Sequence, residues 1–371
     1  MVIAESVREF NPDLFIAMLV IPEKTEHEEI DCFGPEDLNL PDLRSREFAY
    51  PETVLTYALT AAFMRLLLNS GYATSLLFVK QESMVVGDLA PIFDELEEGE
   101  ILLTPHLLAP LGEGRDRELN ILHSGAYNGG VLGVTQGEES TRFLNWWDAR
   151  LATNCRHKVG AGMHFEQRWL DLVPGLFGSV VISRDPGFNI GHWCLPERPI
   201  SVEGQRVLAD ASPARIFRFS GYDPDAPEFP TIHSDRVATA ALGDAAIVFE
   251  RYRSAAKLAR SVIEDTASAP VACFTNGVPI PDAARDLYLE VSKQDFGDPF
   301  DSEGPESFFE WLKQPVDDGT PAITNLWHHV HQIRTDLRGA FRDHLGSDRE
   351  AFAAWIVSSG IHEHDIDPAL A

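Results

Sequence analysis

The chain has 371 residues, 44% of them hydrophobic, which is enough for one sizeable domain and an appendage. Lys and Arg number 30 against 58 Asp and Glu, a formal charge of -28 at pH 7. That balance leaves no basic face for a phosphate backbone or an anionic membrane surface, so nucleic acid and anionic lipid are disfavoured as partners, and a small anionic ligand would need a local cationic pocket.

The start, MVIAESVREFNPDLF, carries acids early and lacks a long apolar run before a small-residue cleavage site. No stretch is long enough to span a bilayer, so a soluble cytoplasmic protein is expected. Cys32, Cys155, Cys194 and Cys273 are scattered and form no CxxC pair, as expected for buried thiols in a reducing compartment.

Residues 2–10 read as a short helix with Val7 and Phe10 on one side. Residues 14–21 form a continuous apolar run, expected as a fully buried parallel strand. The strand that should precede helix 2–10 in a βαβ unit is missing, since the chain begins inside the helix. An acidic loop region, 23–43, precedes a strong helix over 51–69 that Gly71 closes. Strands follow at 75–79, whose end carries Lys80-Gln81-Glu82 and then residues 83–86, and at 101–104, with a short helix at 89–96. Alternating strands and helices with polar residues at strand ends predict an α/β fold with a mainly parallel sheet and ligands at the carboxyl ends of strands.

Residues 121–199 are dense in side chains that loops use to hold ligands: Asn128, Gly129, His164, Glu166, Gln167, Arg168, Asn189 and His192. Glycines 129 and 130 allow close approach of the backbone to something. Helix 138–153 turns Phe143, Leu144, Trp147 and Leu151 inward, and Trp146 and Trp147 read as core. Residues 165–173 read as helix, 180–182 as a strand, 185–189 as a turn, 201–210 as a hairpin, 214–221 as a strand into a loop, and 242–264 as helix. From about residue 270 short helices and loops form an α-helical appendage, giving domains 1–265 and 266–371. His328-His329-Val330-His331 and His362-Glu363-His364-Asp365 are expected as solvated surface; the second is not HExxH, so a zinc protease is rejected.

Several segments together resemble a bacterial family of GT-A-type glycosyltransferases: VVGDLAPIFDEL with ILLTPHLLAPL, SGAYNGGVLGV before a WW helix, FEQRWLDLVP, RDPGFNIGHWCLPERPI, FRFSGYDPDAP, then NGVPIP, FGDPFD, FFEWL and IRTDLRGAF. The resemblance covers nearly the whole chain in order. It implies a GT-A-like α/β fold and transfer of a sugar from a nucleotide-sugar to a glycan or lipid-linked acceptor, often in surface polysaccharide synthesis. The family's Asp-x-Asp holds Mn or Mg on the donor diphosphate, and related enzymes add a His from a later segment.

This chain departs from that pattern in a coordinated way. Lys80 and Glu82 stand at the two aspartate positions, Arg218 at the His position, and Glu166 at the Asp of the Asp-Gln segment. Charged ammonium and guanidinium groups do not ligate a divalent ion, so no metal is expected. Lys80 and Arg218 are then expected to supply the metal's positive charge to a diphosphate. Glu82 is expected as a salt-bridge partner of Lys80. His106, Asn128 and Gly129 complete the donor set, Glu166 and Gln167 are the candidates for catalysis, and Asn189 and His192 for the acceptor rim. The alternative is a catalytically inactive homologue that binds a sugar, nucleotide or partner.

Overall fold

Tyr127–Thr135 is the longest strand, buried except at its two ends. In the computed structural model, which describes residues 2–112, 115–234, 236–262, 272–291 and 294–370, it sits inside a four-stranded sheet. Ser75–Val79 and Ile101–Pro105 flank it, both antiparallel to it, and Val180–Ile182 joins the far side of Ile101–Pro105 in parallel. The fold is therefore mixed α/β. The expected mainly parallel sheet is corrected to a small mixed one, because the central strand runs against its neighbours.

Leu102 and Val131 face Ile92 and Leu96 of helix Ala90–Leu96 in one cluster. Gly133 makes room for that helix: a Cβ there would come within 2.9 Å of Leu96 Cδ1. Helix Glu138–Asn154 packs beside helix Thr60–Asn69. Its Phe143, Trp147 and Leu151, spaced four apart, are all 0% exposed, which is the helical face the sequence predicts. The helix expected over 51–69 is two, Glu52–Ala58 and Thr60–Asn69, parted at Leu59.

Helix Val2–Phe10 matches its expected bounds and lies against strand Ser83–Val85. Ser6 Oγ accepts from Val85 N (3.0 Å), and Asn11 Oδ1 accepts from Leu89 N (2.8 Å), so polar side chains lock it there. The apolar run 14–21 does not become a fully buried strand. Only Ala17–Leu19 is extended, half-buried, and paired in parallel with Asp31–Phe33 in a separate two-stranded sheet. Residues 165–173 are not a regular α-helix either: Gln167–Leu172 is a 3-10 segment followed by the short helix Val173–Leu176. The hairpin forms from Ile200–Glu203 and Arg206–Ala209, and helix Ala245–Val262 follows, with residues 263 and 264 of the expected helix outside the described residues.

The chain divides into two compact units, Met1–Asn39 with Thr56–Asp265 and Leu40–Leu55 with Thr266–Ala371. The second unit thus takes in 40–55, a segment assigned by sequence to the first domain. Its core is aromatic: Phe48, 0% exposed, meets the rings of Phe274, Tyr288, Phe300 and Phe308 with centroids 4.9 to 5.7 Å away. The expectation of solvated histidines fails here for His329 and His331, which are 4% and 3% exposed. His331 stacks on His344 at 3.6 Å, because helix Asn325–Ile333 turns these positions inward. Among the described residues, no helix is long and apolar enough to cross a membrane.

Truncating either aromatic anchor leaves a cavity that the close-packed surroundings fill only partly. Phe48→Ala and Trp147→Ala are each expected to cost about 3–5 kcal/mol, read as lowered midpoints in chemical denaturation.

Candidate functional site

The edge of the four-stranded sheet where Val79 and Val131 pair carries the candidate site. The ladder breaks there. Leu103 pairs with Leu132 but Pro105 with Tyr127, so the stretch around Asn128-Gly129-Gly130 bulges out of register. Its N–H groups lose their sheet partners and find side chains instead. Gly130 N donates to Asn128 Oδ1 (2.7 Å) and Gly129 N to Gln167 Oε1 (2.9 Å), while Gln167 Nε2 donates to Ser124 O (2.9 Å). Asn128 and Gln167, expected to touch substrate, are thus engaged in holding this bulge, and both are buried.

The bulge exists at glycines because charged side chains lie against it. A Cβ on Gly129 would come within 2.6 Å of Glu166 Oε1, and one on Gly130 within 2.4 Å of the Arg218 guanidinium. Lys80, just past the end of strand Ser75–Val79, hydrogen-bonds through its N to Gly130 O (3.0 Å). Its ammonium pairs with Glu166 and lies 3.8 Å from the centroid of the Tyr57 ring. Arg218, at the end of strand Ile216–Arg218, donates to Glu82 Oε1 (2.8 Å), Ser83 Oγ (2.8 Å) and Lys80 O (3.3 Å). The expected Lys80–Glu82 bridge is therefore replaced by two others, Lys80–Glu166 and Arg218–Glu82. Glu166 is drawn from far along the chain, and that distance hid its pairing with Lys80 from sequence.

These side chains are withdrawn from water: exposure is 13% for Lys80, 1% for Glu166, 3% for Arg218 and 29% for Glu82. Burial pushes the Lys80 pKa down, but Glu166, Glu82 and Tyr57 together push it further up, and it ends above its usual value. Burial likewise raises Glu82, and Arg218 and Lys80 outweigh it and hold the carboxyl below its usual value. Both groups stay ionised at neutral pH, and the two cations offset the two carboxylates. Glu166 Oε2 and Arg218 Nε are buried with no hydrogen-bond partner among the described residues.

Histidines surround the cluster. His106 is buried, its Nδ1 against Ala126 O (3.3 Å) and its ring edge-to-face with Trp193, and burial lowers its pKa to about 4. His164 is lowered to about 4, first by burial and then by His157 and Lys80. Burial and His233 lower His192 to about 3. Asn189 adopts a positive φ of 52° and donates to Pro105 O (2.9 Å), which ties the 185–189 turn to the strand end below His106. Sequence reasoning passed over Tyr57, although an aromatic ring beside a buried cation is the kind of residue that tunes a site.

The donor set does not fit a divalent ion. An ion at the position of the family's Asp-x-Asp would meet the Lys80 ammonium and the Arg218 guanidinium, which repel it. Among the described residues, no three His, Cys, Asp or Glu side chains converge as a metal-binding group.

The chain is 26% identical over 229 residues to the uncharacterised protein YfnF of Bacillus subtilis strain 168, a stretch covering 59% of this chain and 75% of that protein. No protein-family model matches the chain, and no solved structure does either.

Two measurements probe this geometry. Lys80→Met strands Glu166 as an uncompensated buried charge and is expected to cost about 3–5 kcal/mol of unfolding free energy. The double variant Lys80→Met, Glu166→Gln is expected to recover at least about 1 kcal/mol of that loss in a double-mutant cycle. Acid provides the second. His106, His164 and His192 have folded pKa values of about 3 to 4 against 6.5 for the free side chain, so between those limits the unfolded chain binds the extra protons. Stability contributed by the neutral rings is complete above pH 6.5 and falls as pH drops, by about 1.4 kcal/mol per pH unit for each proton. Denaturant melts from neutral to acid pH should give that slope, and His106→Gln should reduce it by about one proton.

Proposed function

We propose that the chain is a GT-A-like glycosyltransferase that moves a sugar from a nucleotide-sugar to a glycan or lipid-linked acceptor without a divalent ion. The observation that carries this reading is the convergence of Lys80, Glu82, Glu166 and Arg218, from separate segments, at one sheet edge. These are the positions that the resemblance equates with the Asp-x-Asp, the Asp-Gln segment and the metal-binding His. A departing diphosphate needs positive charge, which an ammonium and a guanidinium supply in place of an ion.

In this reading Lys80 exchanges its Glu166 contact for a donor phosphate oxygen, and Arg218 holds the Lys80 carbonyl and Ser83 so that the strand end stays in position. Glu166, released from Lys80, takes the proton of the acceptor hydroxyl as it attacks the sugar. Burial keeps His106 neutral, so the positive charge near the donor comes from Lys80 and Arg218. Cytoplasmic work on surface polysaccharide is part of the same proposal.

A second reading, an inactive homologue that binds sugar or nucleotide without turnover, is favoured by one observation: each cation already has a carboxylate partner and Arg218 is only 3% exposed. Calorimetry on the full chain with nucleoside diphosphates, in chelator and then in manganese, separates the two together with a nucleotide-sugar turnover assay. The enzyme reading expects binding in chelator, no gain from manganese, turnover, and affinity about tenfold or more weaker in Lys80→Met. Binding without turnover favours the second reading, and no nucleotide binding at all sinks the first.

A further inference from the structure

Beside the charged cluster lies a cleft of about 250 Å³ bounded by Arg117, His192, Pro196, Pro230, Thr231 and Ser234. Its wall is joined to the strand end that carries Arg218. Gly221, three residues further on, has a φ of 70° and accepts from Ile232 N (2.7 Å). A Cβ on Gly221 would come within 2.7 Å of Thr231 Oγ1 and 2.8 Å of His233 Cδ2, so only glycine lets this wall close on the strand.

Donors in the cleft, Arg117, Thr231 and Ser234, sit among apolar Leu195, Val237 and Leu242. Arg117, half-buried on helix Arg115–Ser124, gives Nη1 to His192 O (3.0 Å), which fixes the guanidinium and leaves its other N–H groups to the cleft. Among the described residues, neither Arg117 nor the nearby Arg236 has a carboxylate within ion-pair distance, in a chain of net charge -28. Burial and then the Arg236 charge lower the Arg117 pKa. Thr231 Oγ1 and Ser234 Oγ accept from His233 N (3.2 Å) and Arg236 N (3.3 Å), and among the described residues their own protons have no acceptor. A fixed guanidinium with two hydroxyl donors suits an oxyanion.

We propose that this cleft is an anion subsite, taking a phosphate or carboxylate group carried by the acceptor. The word acceptor rests on the glycosyltransferase reading; the anion site itself does not. The test is calorimetry on the full chain with inorganic phosphate and, separately, glucuronate, at constant ionic strength and without nucleotide. Saturable one-to-one binding of either is expected, and whichever anion binds tighter assigns the group as phosphate or carboxylate. Arg117→Gln should weaken that binding about tenfold, Arg117→Lys less, and Ser234→Ala a few-fold. A parallel titration in saturating nucleoside diphosphate should give the same anion affinity, which separates this site from the proposed donor cluster. Thermal melts of the Arg117 and Ser234 variants check that they fold. The proposal is overturned if neither anion binds saturably up to roughly 10 mM, or if Arg117→Gln and Ser234→Ala, both folded, bind as the parent does. Nucleotide binding without anion binding would sink this inference alone; anion binding without nucleotide binding would remove the acceptor role and keep the site.

Discussion

A charged group taken out of water has to meet an opposite charge, and at the sheet edge four of them do so at once. Lys80 with Glu166 and Arg218 with Glu82 form two pairs that share the Lys80 carbonyl through Arg218. The surrounding backbone is shaped to admit them. Gly129 and Gly130 withhold the Cβ atoms that would collide with Glu166 and Arg218, and the ladder slips out of register so that both fit. Side chains of Asn128 and Gln167 then take over the freed N–H groups. One electrostatic requirement thus accounts for the glycines, the bulge, and two polar residues that would otherwise look like ligand contacts.

The same constraint bears on chemistry. Positive charge where a diphosphate would leave is useful only if it is present before the donor arrives, and a buried lysine without a partner would lose its proton instead. Glu166 keeps Lys80 charged in the unliganded chain, and Glu82 hydrogen-bonds the Arg218 guanidinium. The cost is that any anionic ligand has to compete with a carboxylate for each cation. Burial keeps His106 and His164 neutral, so they add no positive charge beside Lys80.

Away from the cluster, the acidic composition makes the donor-lined cleft at Arg117 stand out. Most arginines with charged partners here serve local ion pairs, such as Arg215 with Asp185 and Arg349 with Asp317. Arg117 is instead anchored by a carbonyl in a cleft that also carries the Thr231 and Ser234 hydroxyls. An acidic surface repels anions at long range. Selectivity for an anionic group in this cleft therefore has to come from short-range donors.

Periodicity and apolar runs alone determined helix Val2–Phe10, strand Ser75–Val79, the inward face of Glu138–Asn154 and the hairpin near residue 205, because local burial patterns dictate such elements. Periodicity did not mark Lys80, Glu82, Glu166 and Arg218; only the resemblance to a glycosyltransferase family singled them out as a linked set. Tertiary structure decided the rest. It chose which carboxylate each cation meets, because pairing depends on which strand ends adjoin. The antiparallel course of Tyr127–Thr135 and the collapse of run 14–21 to a three-residue half-buried strand also depended on distant neighbours. His331, polar by sequence, became core when His344 and Phe352 closed over it. In each case the deciding partner lies outside the window over which a sequence pattern is read.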